Sequence, residues 1–177
     1  MEHELIDEID ENGKFIRVVD KSIAHKEGLW HKSVHVWIVN DNNEILLQYR
    51  CADKSFFPDV WDASFAGHIG AGEDSLTTAI REGKEELGIN VDTSKIRFIF
   101  TNKEKLVYGN IISNELIDVY VLRDNINLED LTLQETEVGG AKYMNVFDFF
   151  DAINKTEEKI FPHPEEYKQL KRILINN

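Results

Sequence analysis

Residues 67–89 read GHIGAGEDSLTTAIREGKEELGI, and this stretch indicates both the fold and the chemistry of the chain. It places Glu82, Glu85 and Glu86 at positions i, i+3 and i+4 behind a glycine-rich segment. Residues with this spacing are neighbours on a helix surface, with β-carbons roughly 5–6 Å apart. Crowded carboxylates repel each other, and a hard dication such as Mg²⁺ relieves that repulsion because it prefers carboxylate oxygens. The pattern therefore favours a metal site over a solvated acidic face.

The acidic cluster is expected on a helix that runs from Asp74 or Ser75 to Leu87. Asp or Ser suits the N-cap, and Gly88 is a typical stop. Glycine inside a helix costs about 1 kcal/mol relative to alanine, so Gly83 predicts close approach of another element. The predicted core stripe contains Leu76, Ala79, Ile80, Gly83 and Leu87, while Thr78 shares the other sector with the three glutamates.

The stretch resembles the signature of the Nudix hydrolases, which combines a leading glycine, a glutamate, an Arg-Glu pair, a Glu-Glu pair and a closing glycine. Gly83 replaces the first aliphatic residue of the signature, which is a packing position. The resemblance implies an α/β/α sandwich, dependence on Mg²⁺ or Mn²⁺, and hydrolysis of a nucleoside diphosphate linked to another group. The residues in register are Gly67, Glu73, Arg81, Glu82, Glu85, Glu86, Gly88 and Ile89.

The same resemblance implies a role for each position. Glu82 and Glu86 correspond to the principal metal ligands, Glu85 to an additional or water-linked ligand, and the Gly67 carbonyl to a further ligand. Glu73 and Arg81 resemble the pair that orients the carboxylates. The general base stays open between Glu85 and Glu115.

Residues 31–122 also resemble the type I isopentenyl-diphosphate isomerases, in the pieces HKSVHVWIVN, LLQYRCADKSFFPDVWDASFAGH and NELIDVYVL. Those isomerases carry a cysteine before the Gly-His step, where this chain has Ala66, and alanine transfers no proton. They also tend to lose carboxylates that this chain keeps at Glu82 and Glu85. We therefore predict an isomerase-like Nudix hydrolase acting on a nucleoside di- or triphosphate or a nucleotide conjugate. An isomerase and a non-catalytic nucleotide-binding regulator are the alternatives.

Four further residues are predicted to bind substrate. Arg50 and Lys54 match positions that hold a diphosphate in the isomerases, and a cationic pair suits phosphate oxygens. Phe57 and Trp61, together with the neighbouring Phe56, could line the substrate pocket, but we expect at least two of these three rings to pack in the core.

A vestigial second metal site is an alternative that we do not favour. His31, His68 and Glu115 match metal-binding or catalytic positions of the isomerases, but two other positions of that set hold Ala24 and Ser113. His25 would substitute only if its loop shifted. We therefore expect His68 to be a hydrogen-bonded structural residue.

Composition limits the class of protein. The 177 residues predict a single domain over 1–177, with residues 1–30 as an N-terminal hairpin extension that could pair across a homodimer. A net charge of −13 argues against binding to nucleic acid polymers or anionic membranes. One cysteine, no targeting segment and no long apolar run favour a cytoplasmic protein that acts on a small diphosphate.

Strand patterns predict the rest of the fold. Residues 4–10 and 15–20 flank the turn signal Asn12-Gly13, and VHVWIVN and EILLQYR form a second hairpin around residues 41–43. Further strands are expected at 60–66, 96–101, 115–122 and 141–145, and helices near 146–153 and 164–175. The prediction is an α/β domain with a mixed, mostly antiparallel sheet covered by helices on both faces. Loops 50–60, 102–114 and 123–140 are expected to set specificity.

Overall fold

The computed structural model describes residues 4–155 and 158–175, and within these ranges it contains nine strands and four α-helices. Their bounds are β1 Leu5–Ile9, β2 Phe15–Asp20, α1 Lys21–Glu27, β3 Trp30–Val39, β4 Glu44–Arg50, β5 Trp61–Asp62, β6 Phe65–His68, α2 Ser75–Leu87, β7 Ile96–Tyr108, β8 Ile111–Arg123, β9 Val138–Asn145, α3 Val146–Ala152 and α4 Pro164–Ile175. No helix in the described ranges is long and apolar enough to cross a membrane.

Seven of the strands form one sheet with the order β5-β4-β3-β8-β7, while β6 pairs with β3 and β9 pairs with β4. Among the described pairings within this sheet, only β3 and β8 run parallel. The predicted mixed, mostly antiparallel sheet is therefore confirmed.

Helices cover both faces of this sheet. On one face, Val34 and Val36 of β3 pack in a buried cluster with Ala79 and Leu87 of α2. On the other face, Trp37 of β3 packs with residues of α3 and α4. Side chains alternate between the faces of a strand, so one central strand serves both clusters. The α/β/α sandwich is confirmed.

The pairing of β3 changes along its length. Ile38 and Val39 pair with β4, whereas residues 33–36 pair with β6. β4 must therefore diverge from β3 where β6 takes its place. Residues from all three strands at this fork, among them His35, Arg50 and Ala66, line a cleft of about 670 Å³.

The N-terminal hairpin is observed as predicted. β1 and β2 pair antiparallel, and Gly13 adopts the left-handed backbone (φ 89°) that the turn requires. Ile6 is fully buried and bridges to Gly70, so the hairpin packs on the loop that leads to α2. The sequence analysis missed α1, a short helix whose Asp20 N-cap accepts a hydrogen bond from Ser22 N at 2.8 Å.

The prediction of a loop at 102–114 is wrong. These residues continue β7 and β8 as one long hairpin that turns at Gly109 (φ 57°). Charged residues on both sides of Glu104 conceal the alternation of apolar and polar residues that is typical of a strand. The segment is nevertheless a strand because it pairs with β8, and this pairing does not depend on apolar content. Segment 124–137 is irregular as expected, and it packs on the end of α2 through Thr132 N to Leu87 O at 3.0 Å.

The residues of α2 that face the core differ from the predicted set. Ile80 is 37% exposed, whereas Thr78 and Glu86 are buried. The buried face of α2 differs from the predicted one because the helix lies closest to its neighbours at Gly83. A β-carbon at this position would lie 2.9 Å from Val91 Cγ2 and 3.1 Å from Phe65 Cζ. The prediction of a close contact at Gly83 is thus confirmed, and the prediction that Ile80 is a core residue is wrong.

Candidate metal and substrate site

The caps of α2 fix where its acidic face lies. Asp74 is the N-cap and accepts a hydrogen bond from Thr77 N at 3.0 Å. Gly88 ends the helix in the left-handed conformation, with φ 71°. The helix therefore holds its glutamates in a fixed register at the edge of the cleft.

Glu82, Glu85 and Glu86 all line the cleft, and we call them the carboxylate ridge. Glu86 is buried and accepts hydrogen bonds from Gln48 Nε2 at 3.2 Å and Ala66 N at 3.3 Å. Glu82 lies against the backbone of Gly67, while Glu85 is half exposed. The structure therefore brings the predicted ligand residues together.

The ridge is electrostatically costly without a counter-ion. Burial raises the pKa of Glu82 to about 7, although Arg81 opposes the shift. Burial also raises the pKa of Glu86 to about 8, and the neighbouring charge of Glu82 adds to it. A dication would remove this cost, and the donor set consists of carboxylate oxygens with the Gly67 carbonyl as a further predicted ligand, which suits Mg²⁺ or Mn²⁺. The residues present fit such an ion.

Arg81 connects the ridge to the loop before the helix. Its Nη1 donates to Glu82 Oε1 at 2.7 Å and to Glu85 Oε2 at 3.0 Å, and Nη2 lies 3.4 Å from Glu73 Oε2. Glu73 also accepts a hydrogen bond from Thr78 Oγ1 at 2.8 Å. These contacts fit the predicted orienting role of the Glu73–Arg81 pair, because they restrict the positions of two ridge carboxylates.

The two predicted phosphate-binding cations both line the cleft. Arg50 is largely engaged, since its guanidinium donates to Phe56 O at 2.7 Å and Phe57 O at 3.0 Å and pairs with Asp62 at 3.3 Å. Lys54 forms an ion pair with Glu137. Arg50 therefore also shapes the loop after β4.

Two predicted substrate residues lie elsewhere. Neither Phe57 nor Trp61 is part of the cleft lining in the described ranges. Phe57 packs on Phe161 with ring centroids 4.6 Å apart, and Trp61 packs on Tyr49 at 5.0 Å. Packing against neighbouring aromatic rings directs both side chains away from the cleft, which fits the expected core packing of at least two of the three aromatic residues. Phe56 lines it instead.

A second cluster contains His25, His31, His68 and Glu115, whose potential ligand atoms all lie within 4.8 Å of one another. His25 reaches the cluster from α1, although the sequence places it one position away from the isomerase pattern. His68 Nε2 lies 3.2 Å from His25 Nε2, which fits the expected hydrogen-bonded histidine. His31 Nδ1 lies 2.9 Å from Leu29 O, and its buried Nε2 has no hydrogen-bond partner in the described structure.

Two of the three imidazoles in this cluster are neutral near pH 7. Burial lowers the pKa of His25 to about 4 and that of His68 well below its usual value, so both rings are neutral near pH 7. Burial alone would lower the pKa of His31 as well, but Glu115 raises it above the usual value. Burial alone would raise the pKa of Glu115, but His31 holds it well below its ordinary value. Three imidazoles and one carboxylate suit a transition metal better than Mg²⁺. A second metal site at this cluster, which the sequence analysis does not favour, stays an untested alternative.

The sequence analysis missed several residues of the cleft, because they come from distant segments and belong to no motif. Glu104 and His163 are the most informative, since His163 Nδ1 lies 2.8 Å from Glu104 Oε1 and its Nε2 lies 3.3 Å from Asp62 Oδ1. The other missed lining residues include Glu4, Lys21, Ser33, His35, Leu106, Gln134, Glu137 and Phe161.

His163 makes stability depend on pH. Burial alone would lower its pKa, but the hydrogen bonds to Asp62 and Glu104 raise it well above the usual value. The stabilisation from the charged ring is complete below about pH 6.5 and is lost as pH rises through the folded-state pKa. We expect the unfolding midpoint of the wild type to fall between pH 6.5 and 9 more steeply than that of His163→Gln.

Urea unfolding at four pH values measures this difference. The other titratable groups near the ring are His35, Glu166 and Tyr167, and all three remain in the variant. Parallel curves for the two proteins would show that His163 carries no excess proton in the folded state.

Fold and site together define a Nudix-type domain: an α/β/α sandwich with a glutamate-bearing helix at its cleft. A family model described as NUDIX domain matches residues 29–164. The chain therefore belongs to the Nudix family.

Individual relatives agree with this assignment. Nudix hydrolase 3 of Arabidopsis thaliana is 39% identical over 145 residues, which cover 79% of this chain but only 19% of that protein. The isopentenyl-diphosphate Delta-isomerase 1 of Photorhabdus laumondii is 29% identical over 172 residues, or 96% of this chain and 94% of that protein. The crystal structure of DR0079 from Deinococcus radiodurans superposes with a TM-score of 0.74 at 18% identity, covering 96% and 98% of the two chains. The predicted resemblance to both hydrolases and isomerases is confirmed.

Proposed function

We propose that this protein is a Mg²⁺-dependent hydrolase that cleaves the diphosphate linkage of a nucleoside di- or triphosphate or a nucleotide conjugate. The observation that carries the proposal is the pair Glu82 and Glu86, two adjacent carboxylates that are largely buried at the edge of a cleft. Burying two such groups beside each other is costly unless a cation joins them. The family supports a hydrolase in general, and the particular substrate and metal are our inference.

Each residue of the site has a role in this reaction. Glu82 and Glu86 would hold the ion, with Glu85 as an additional ligand, and Arg81 and Glu73 keep these side chains in place. A bound Mg²⁺ neutralises a diphosphate and lowers the pKa of coordinated water. Lys54 and Arg50 provide positive charge for the phosphate oxygens in a chain whose net charge is −13.

The proton of the attacking water needs a carboxylate acceptor. Glu85 is half exposed, and Glu115 is kept ionised by His31. Both line the cleft, and we keep both as candidates for the general base.

The isomerase reading is a second candidate because an isomerase relative matches nearly the whole chain. Ala66 lines the cleft where those isomerases, by the resemblance, carry a cysteine. A double-bond shift requires one group to add a proton and another to remove one, and a methyl side chain does neither. Because Ala66 stands in place of that cysteine, we rank hydrolysis above isomerisation.

A substrate panel in ¹⁸O-labelled water tests the proposal. Nucleoside di- and triphosphates, nucleotide sugars and isopentenyl diphosphate are incubated with Mg²⁺ or Mn²⁺, and products are identified by mass spectrometry. We expect metal-dependent release of a phosphorylated product that carries one ¹⁸O. Binding without any product would favour the regulator, and deuterium from D₂O in dimethylallyl diphosphate would favour the isomerase.

A further inference from the structure

The cleft extends well beyond the carboxylate ridge. Part of its lining is a group that we call the outer wall: Phe56, Glu104, Leu106, Phe161 and His163. Strands β6, β3, β8 and β7 are successive neighbours in the sheet, so three strand spacings of about 4.8 Å separate the strand of Gly67 from the strand of Glu104. The outer wall and the ridge line the same cleft, so the outer wall is available to the group attached to a diphosphate held at the ridge.

Glu104 is held firmly in this wall. Its Oε1 is 2.8 Å from His163 Nδ1, and the opposite ring nitrogen of His163 faces Asp62 at 3.3 Å. Phe161 stacks on the same imidazole with ring centroids 4.2 Å apart and an interplanar angle of 11°. Carboxylates at both nitrogens require both to donate, so the ring is an imidazolium that fixes one Glu104 oxygen. Glu104 Oε2 has no hydrogen-bond partner among the described residues.

The position of Glu104 is costly in the sheet itself. It lies directly opposite Glu115 in the β7–β8 register, and like charges at directly opposed positions destabilise antiparallel strands. The next residue on the same face of β7 is Leu106, which also lines the cleft. The ion pair between Glu104 and His163 offsets part of this cost.

Beside Glu104 lies a buried group of possible metal ligands, His35, His163 and Glu166. This group does not explain Glu104 as part of a metal site. Its hydrogen bonds are already made within the protein, with His35 Nδ1 2.9 Å from Glu166 Oε2 and Trp37 Nε1 donating to Glu166 Oε1 at 2.8 Å. A hydrocarbon chain at the outer wall would remove water from Glu104 Oε2 without offering it a hydrogen-bond donor, which costs binding energy. An aromatic surface beside a carboxylate suits a ring that carries hydrogen-bond donors.

We propose that Glu104 is a specificity residue that accepts a hydrogen bond from a hydroxyl or amino group on the moiety attached to the diphosphate. The ring of that moiety packs against Phe56, which is only partly buried. The substrate class is then a diphosphate of a polar ring, such as a nucleoside, and diphosphates of hydrocarbon chains are rejected. This inference rests on the proposed hydrolase function, which places the diphosphate at the ridge.

The test compares four probes on the wild type, Glu104→Leu and Glu104→Gln. The comparison of uridine diphosphate with its 2′,3′-dideoxy form measures the contribution of the ribose hydroxyls. The comparison of cytidine diphosphate with uridine diphosphate measures the contribution of the amino group. Geranyl diphosphate lacks both donors. Glu165→Gln is the matched control, because Glu165 is 64% exposed and lies outside the described lining of the cleft. Both kcat/KM and calorimetric affinity are measured in Mg²⁺.

We expect the wild type to prefer the donor-bearing member of at least one pair by about 10- to 100-fold, as for a hydrogen bond to a charged group. Glu104→Leu should reduce this ratio to less than threefold and leave geranyl diphosphate unchanged or improved. Glu104→Gln retains one acceptor oxygen and should fall between the two. Glu165→Gln should behave as the wild type.

Other outcomes would overturn the inference. An equal loss for every probe in both Glu104 variants would show that Glu104 acts only through the fold. A wild type that binds geranyl diphosphate as well as the nucleotides would also reject it. If no probe is hydrolysed, the calorimetric ratios still decide the role of Glu104, and the substrate panel in ¹⁸O-labelled water decides the hydrolase separately. The absence of binding by every probe rejects the inference as well.

Discussion

Replacing Glu82 and Glu86 together by glutamine is expected to lower kcat/KM for any diphosphate substrate by at least about 10³-fold. Loss of a residue that merely orients a metal ligand already costs about 10- to 100-fold, and this change removes two direct ligands. The fold should persist, because glutamine keeps the shape of the side chain and an acceptor oxygen for Ala66 N and Gln48 Nε2. Activity is measured at saturating Mg²⁺, with Mn²⁺ binding followed by calorimetry.

The matched control is a double change of two exposed carboxylates, Glu129→Gln with Glu165→Gln. It alters the net charge equally and leaves the cleft untouched. Turnover and Mn²⁺ binding should match the wild type in this protein. A ridge variant with wild-type turnover at saturating metal would reject the assignment of Glu82 and Glu86 as ligands.

Gly67→Ala is the second prediction with a large effect. A β-carbon at this position would lie 2.1 Å from Glu82 Oε1 and 2.2 Å from its Cδ, so the carboxylate must move. The obstacle is the end of a flexible side chain rather than backbone, so the melting temperature should change little. A displacement of about 1 Å can cost about 100-fold in rate, and we expect a loss of about 10- to 100-fold in kcat/KM.

Gly140→Ala provides the control for this substitution. Gly140 also lies in a strand, and an added β-carbon would meet its nearest atom, Tyr49 Cβ, at 3.9 Å, which is an ordinary contact. Both variants should unfold within a few degrees of the wild type, and only Gly67→Ala should lose activity and Mn²⁺ affinity. Full activity in Gly67→Ala would show that Glu82 does not need the space that this glycine leaves.

Parts of the fold follow from local patterns. Asp74 and Gly88 cap α2 as their residue types predict, and the Asn12-Gly13 signal marks a real hairpin. Long-range pairing was harder to predict: β7 and β8 extend through a segment whose charged residues conceal their alternation. The pairing of β3 with β6 as well as with β4, which opens the cleft, has no local signal.

The site divides in the same way. Glu82, Glu85 and Glu86 are neighbours because the rise and turn of one helix bring residues three and four apart together. The direction of the Phe57 and Trp61 side chains stays open in the sequence, since a ring's direction depends on the partners it packs against. Two such partners lie far away in the chain: Phe161 packs on Phe57, and Lys142 lies over the ring of Trp61.

The sequence by itself determined the acidic helix face, its caps and the glycine loop before it, because covalent spacing along one helix fixes which side chains are adjacent. Only the tertiary structure decided that His25 joins His68 across 43 residues and that Glu104 meets His163 across 59. Such contacts depend on sheet register and on the packing of whole elements. These are properties of the complete chain, and no short window of residues contains them.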